Sequence, residues 1–184
     1  MTFHTKDLPG AAFFPSGNDE QNHSAIGHAV HSYLAALPSM TATGESHKLM
    51  VAERCLQAHC VSGFIPASVL VAAGDRFCNW VNASYPNAVW HAEVPVSGPR
   101  SDGGTWVGAV DLILQLNETE IVLVDHKSAP LRREHCAKKA AEFEGQTTAY
   151  SEMLQGMGIT IRAALIHFPL AGTVVQAQFN YTDD

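Results

Sequence analysis

Apolar residues recur along this chain with two different periods, and the change from one to the other falls near Ala88. Upstream, Ile26, Val30, Tyr33, Leu34 and Leu37 form a stripe at helical spacing. Ser24 is placed to cap that helix and Pro38 to end it. After the loop "SMTATGES", helical patterns cover about 46–61 and 66–83, with Pro66 suited to a first turn. Residues 1–23 carry no period and read as a leader over the surface. Beyond Ala88 the segments "AVWHAEVPV" (88–96), "TWVGAVDLILQL" (105–116), "EIVLVDHK" (120–127), "TIRAALIHF" (160–168) and "TVVQAQF" (173–179) read as strands. A turn-rich "SGPRSDGG" separates the first two, and one long helix is expected from about Arg132 to Gln155, ended by Gly156 and Gly158. This order predicts an α/β fold, a central mixed β-sheet flanked by helices. The expected organisation is one domain over 24–184, with N-terminal helices in 24–83 and a sheet core in 88–184.

The two strands around "NET" raise a chemical question. A three-residue loop, Asn117 to Thr119, pairs Leu116 with Glu120. Counting back through an antiparallel ladder then sets Asp111 opposite Asp125 on one face, with Lys127 beside them. Leu112, Leu114, Val122 and Val124 take the other face. Two opposed carboxylates repel unless a cation sits between them, and a hard divalent ion with oxygen ligands suits the pair. Lys127 adds a charge that can orient water or stabilise a phosphate. The plainer alternative is a buried Asp–Lys pair at a strand end.

Composition narrows the classes. The chain has 184 residues, 46% of them hydrophobic, enough for a sizeable core. No apolar run approaches the roughly 20 residues of a membrane helix, and the start has no signal-peptide pattern, so a cytoplasmic protein without a membrane is expected. Four cysteines without a CxxC pair argue for reduced thiols and against a zinc ribbon. A net charge of −7 argues against a surface that grips nucleic acid on its own.

"GAVDLIL…VLVDHKSAP" resembles the Asp…(D/E)-x-K hairpin of the PD-(D/E)XK nuclease superfamily, whose fold is restriction-endonuclease-like. It most resembles the RecB/AddA-type nuclease domain at the C-terminus of bacterial ATP-dependent exonuclease–helicases (UvrD/Rep-like). "IGHAVHSYLAAL" is similar to that domain's first helix, with Gly27 four residues before His31. "HAEVPV" is similar to the strand carrying Glu93, and "EGQTTAY" to a Q-x-x-x-Y helix at Gln146 and Tyr150.

The resemblance implies roles. Asp111, Asp125, His31 and the backbone carbonyl of His126 would bind metal, with Glu93 a further candidate ligand or a brace. Lys127 would be the catalytic lysine. Gln146 and Tyr150, on one helix face, would border the site and touch DNA or Lys127. The cofactor implied is Mg²⁺, with Mn²⁺ as a substitute. With no cysteine after Cys136, the family's iron–sulfur branch is not expected. The activity implied is DNA repair or recombination exonuclease action on single strands fed by a helicase domain or subunit. No phosphate-binding G-x-x-x-x-G-K-[ST] is present, so the chain reads as an excised domain or a stand-alone relative.

Plainer readings stand beside these: His31 as a helix-border residue, Tyr150 as packing, Gln146 as a solvated side chain. His28, His91, His126 and His167 read as structural or exposed imidazoles, and Trp90 and Trp106 as core. Two other functions remain open. One is a catalytically degenerate nuclease-fold module with a structural or DNA-guiding role. The other is a hydrolase of small phosphoesters, which needs a deep pocket.

Overall fold

The computed structural model describes residues 2–15, 20–40, 42–99 and 103–178. Residues 100–102 of the turn-rich loop and residue 179 of the last expected strand lie outside them. In chain order the elements are β1 (Thr2–Asp7), α1 (Glu20–Met40), α2 (Glu45–Ala58), α3 (Ala67–Ser84), β2 (Val89–Pro99), β3 (Thr105–Gln115), β4 (Glu120–His126), α4 (Arg133–Ala141), α5 (Glu144–Gly156), β5 (Thr160–Phe168) and β6 (Thr173–Gln178). The strands form one mixed sheet in the order β1-β6-β5-β4-β3-β2. β4 and β5 run parallel, and the other neighbours pair antiparallel.

The central strands explain the layering. Residues 121–124 and 163–168 are buried without a break, because helices cover both faces there. On one face Tyr33, Leu37, Phe77 and Val81 of α1 and α3 meet Leu112, Leu114, Val122 and Val124. On the other, Leu154 of α5 lies over Ile113, Ile121 and Leu123, while Cys136 and Ala140 of α4 pack near Ile166 and Phe168.

Four expectations change. Residues 2–7 are an edge strand paired with β6, not a leader. α1 begins at Glu20, before Ser24, and carries Pro38 inside its last turn to reach Met40. A proline there forfeits only one of the final helical hydrogen bonds. The single long helix is two, since α4 and α5 cover different parts of the sheet and the chain must turn between them. Trp106 is 45% exposed on β3 instead of in the core. Trp90 does pack inward, edge-on to Phe77 at 5.9 Å.

Candidate active site

The β3–β4 register is the one that the three-residue loop requires: Leu112 pairs with Val124, Ile113 with Leu123, Leu114 with Val122. The loop explains it locally. The Asn117 side-chain oxygen accepts hydrogen bonds from the backbone N–H groups of Thr119 (3.0 Å) and Glu120 (2.9 Å). One step past the last pair, Asp111 comes opposite Asp125. Here the regular ladder gives way, and the His126 N–H donates instead to the Asp111 carboxylate at 2.6 Å.

A second irregularity lies across β3. Ala92 pairs with Leu112 and Val94 with Val110, but Glu93, facing Asp111, is skipped and takes φ +52°. Val110 and Ile113 have opposite parity, yet both pack in the cluster under α5, while Leu112 faces the α1–α3 layer. An unbroken strand would put them on opposite faces. The hairpin therefore turns over at Glu93 and Asp111.

Each layer supplies partners. From α1, His31 Nδ1 stands 3.7 Å from Asp111 Oδ2. Gly27, one turn earlier, makes the approach possible: a Cβ there would fall 2.9 Å from Ser128 Oγ. Just past the end of β4, Lys127 Nζ lies 3.0 Å from Asp125 Oδ1 and 2.8 Å from Oδ2. From α5, Gln146 Nε2 donates to Asp125 Oδ1 (3.4 Å) and to the Tyr150 hydroxyl (3.2 Å), which donates in turn to the Ala109 carbonyl (3.1 Å). Gly108 leaves room for that hydroxyl, since a Cβ would meet it at 2.8 Å.

The constellation is thus two carboxylates at the end of a hairpin, a lysine two residues after the second, and a Gln-x-x-x-Tyr helix behind them. The family model of the PD-(D/E)XK nuclease superfamily matches residues 4–182. The chain belongs to the PD-(D/E)XK nuclease superfamily. No curated protein matches the chain. Superfamily membership points to a nuclease that hydrolyses DNA, and PD-(D/E)XK nucleases generally use divalent metal ions.

The residues present fit such an ion. Burial, then the neighbouring Asp125 charge, push the Asp111 carboxyl above the usual carboxylate range. Burial also raises Asp125, against the pull of Lys127. Asp125 Oδ2 is buried and, despite the nearby ammonium, accepts no hydrogen bond. A buried carboxylate oxygen without a hydrogen bond, beside a second carboxylate that burial also raises, is a place where a cation is favourable. Among the described residues no three His, Cys, Asp or Glu side chains converge as a closed cage. A small hard cation does not need one, because it keeps several waters and takes one or two carboxylates.

Glu93, a candidate ligand, is exposed on β2 and has no hydrogen-bond or ion-pair partner among the described residues. Neither Gln146 nor Tyr150 hydrogen-bonds Lys127; they act on Asp125 and on β3.

Two features of this PD-(D/E)XK site go beyond the sequence reading, which does not name Phe143 and takes the His126 and His167 imidazoles only as structural or exposed. The first is Phe143, at the break between α4 and α5. Its ring carries the Lys127 ammonium 4.3 Å from the centroid, a cation–π contact. Without the break, Phe143 would continue along a helix instead of turning beneath the lysine. The second is a floor of two histidines. His126 and His167 are 3% and 0% exposed, and their Nδ1 atoms lie 3.0 Å apart. One nitrogen must carry the hydrogen and the other be bare, so the rings are complementary neutral tautomers. Phe77 stacks on His167 at 4.2 Å. Burial, then Arg76, push His167 down to about 3, and burial with His167 holds His126 well below its ordinary value. His28 is exposed beside His59, and His91, also exposed, bonds Gln115 at 2.9 Å.

Proposed function

We propose that this chain is a Mg²⁺-dependent deoxyribonuclease, Mn²⁺ substituting, that acts as an exonuclease on single strands in DNA repair or recombination. The observation that carries the reading is the facing pair Asp111 and Asp125, raised by burial and set beside Lys127 at 2.8 Å. The RecB/AddA-type motifs, Gly27–His31 and Gln146–Tyr150 among them, support a domain that works with a helicase domain or subunit. The acidic balance supports it as well, since a chain of net charge −7 gains from having strands delivered.

The residues divide the work. Asp111, Asp125, His31 and the His126 carbonyl would hold the metal, with Glu93 a further candidate ligand or a brace. When bound, the ion supplies Lewis-acid charge at the phosphate and acidifies water. Lys127 positions the attacking water and faces the charge that develops on the phosphate. Gln146 holds Asp125 in place, and Tyr150 ties Gln146 to the Ala109 carbonyl. The cut leaves a 5′-phosphate. No base-reading element is proposed, so cleavage is independent of sequence.

The test is degradation of end-labelled single-stranded DNA with Mg²⁺ or Mn²⁺, beside Asp125→Ala and Lys127→Ala. Metal-dependent cleavage, lost in both variants, is the expected result. Cleavage that persists in either variant contradicts the assignment. A second reading, a degenerate module that guides DNA, draws on the exposed and unpartnered Glu93. Absence of any divalent-cation stabilisation of the wild type would favour it.

A further inference from the structure

Charge is distributed unevenly in this acidic chain. Residues 127–139 hold five of its eleven Lys and Arg but only one of its eighteen Asp and Glu. That segment is the catalytic-lysine loop and α4. A local excess of positive charge on an otherwise acidic chain attracts a polyanion to that place.

The five cations are not equivalent. Arg133 is committed to the fold: it donates to the carbonyls of Ala171 (2.9 Å), Leu8 (3.0 Å) and Gly10. Lys127 is ion-paired with Asp125 at 2.8 Å, which leaves Arg132, Lys138 and Lys139 on the outer side of this segment. The Arg132 side chain is 73% exposed and only 4.0 Å from Glu134 at the limit of an ion pair. Lys138 is exposed and has no hydrogen-bond or ion-pair partner among the described residues. Lys139 is paired with Glu142 at 2.6 Å, a rim pair of little worth. Its ammonium also lies 5.8 Å from the Phe143 centroid, on the ring that holds Lys127. The Phe143 ring thus lies between the catalytic lysine and the cations of α4, in contact with Lys127 and near Lys139. Arg132 and Lys139 are two helical turns apart, roughly 10 Å.

We propose that this exposed face of α4 binds the phosphate backbone of the nucleic-acid strand beside the phosphate being cut. The proposal rests on the nuclease reading for the identity of the strand, but its charge argument stands apart from the chemistry. It reconciles an acidic protein with a polyanionic substrate: attraction is concentrated where the strand meets the site.

The experiment measures binding of a fluorescein-labelled single-stranded oligonucleotide by anisotropy across a salt series, with Ca²⁺ in place of Mg²⁺ and product analysis showing the strand intact. The variants are Lys138→Ala/Lys139→Ala and, as a charge-keeping control, Lys138→Arg/Lys139→Arg. In parallel, both are assayed with Mn²⁺ on thymidine 5′-(p-nitrophenyl phosphate), a diester too small to reach α4.

The alanine pair is expected to flatten the slope of log K against log salt by about 0.7 per lost phosphate contact, about 1.4 in all. The arginine pair should keep the slope, and the small diester should be cleaved equally by all three proteins. An unchanged slope in the alanine pair overturns the proposal, as does a wild type that binds no strand at low salt. If the small diester is not cleaved by the wild type while the alanine pair still loses strand binding, the surface stands and the nuclease reading fails.

Discussion

The β3–β4 hairpin and the α4–α5 break reach the same acidic pair from different sides and hold it by different means. The hairpin side is regularly paired and largely buried up to Leu112 and Val124, and its ladder gives way only at the acidic pair. Its Asx-closed loop and paired apolar residues fix where Asp111 and Asp125 sit, and a backbone N–H meets Asp111 at 2.6 Å. The break side is irregular and half exposed. It supplies side chains: a ring beneath Lys127, an amide on Asp125, a hydroxyl on the Ala109 carbonyl. The hairpin places charges that destabilise one another, and the break supplies groups that steady them. Removing a hairpin charge should therefore abolish function while relieving strain, whereas removing a break residue should loosen the site by smaller steps.

The largest effect belongs to Asp111→Asn. The amide oxygen still accepts from the His126 N–H, so the fold should persist. Cleavage should fall about a thousandfold, the scale on which a preorganised charge-stabilising group contributes. The metal-free variant should melt higher than wild type, by about 2–4 °C for each kcal/mol of repulsion removed. The pH dependence follows from the sign of the shift. Both carboxyls are raised above their ordinary 3.8 in the fold. Between neutral pH and that value, the folded metal-free chain binds more protons than the unfolded one. It gains stability from these groups as pH falls, and the stability advantage of the variant should shrink over that window. Thermal melts at a series of pH values check this; an advantage that grows on acidification would contradict the repulsion.

Phe143→Leu comes next. Loss of a partly desolvated cation–π contact removes about 1–2 kcal/mol from the hold on Lys127. Turnover should drop roughly tenfold with KM little changed, and Phe143→Tyr should restore most of it. A Leu variant with wild-type turnover would reduce the ring to packing. Tyr150→Phe should cost less, about 1 kcal/mol, since one neutral hydrogen bond to the Ala109 carbonyl is lost. Steady-state cleavage rates measure it, and Gln146→Ala in the same background should add little if the two residues act as one chain. The smallest change is Gly108→Ala. Its Cβ would press on the end of the Tyr150 side chain, which can move aside, so a loss of no more than about twofold is expected. A larger loss would show that the tyrosine has no freedom to shift.

What could be read in advance follows the same division. A period-two pattern with a three-residue Asn-Glu-Thr loop leaves one register that buries Leu112, Leu114, Val122 and Val124, and that register carries Asp111 to Asp125. His31, Gln146 and Tyr150 were visible through family motifs, because no spacing rule links α1 or α5 to a strand end. The turn-over at Glu93 had no signal, since a glutamate with φ +52° is held by its surroundings and not by its own preference. The α4–α5 break lacks proline or glycine at 142–143, so the helical pattern ran through it. β1 draws its hold from pairing with β6, and "TFHTKD" is almost wholly exposed. Such a strand shows no apolar alternation.

The central claim is that Asp111 and Asp125 form one cation site whose repulsion a divalent ion relieves. Its most direct test is an equilibrium titration of Mn²⁺ followed by electron paramagnetic resonance, on the wild type and on Asp111→Asn. Saturable binding by the wild type, lost or weakened by at least about tenfold in the variant, is the predicted result. Equal binding by both proteins, or none by the wild type, would contradict it.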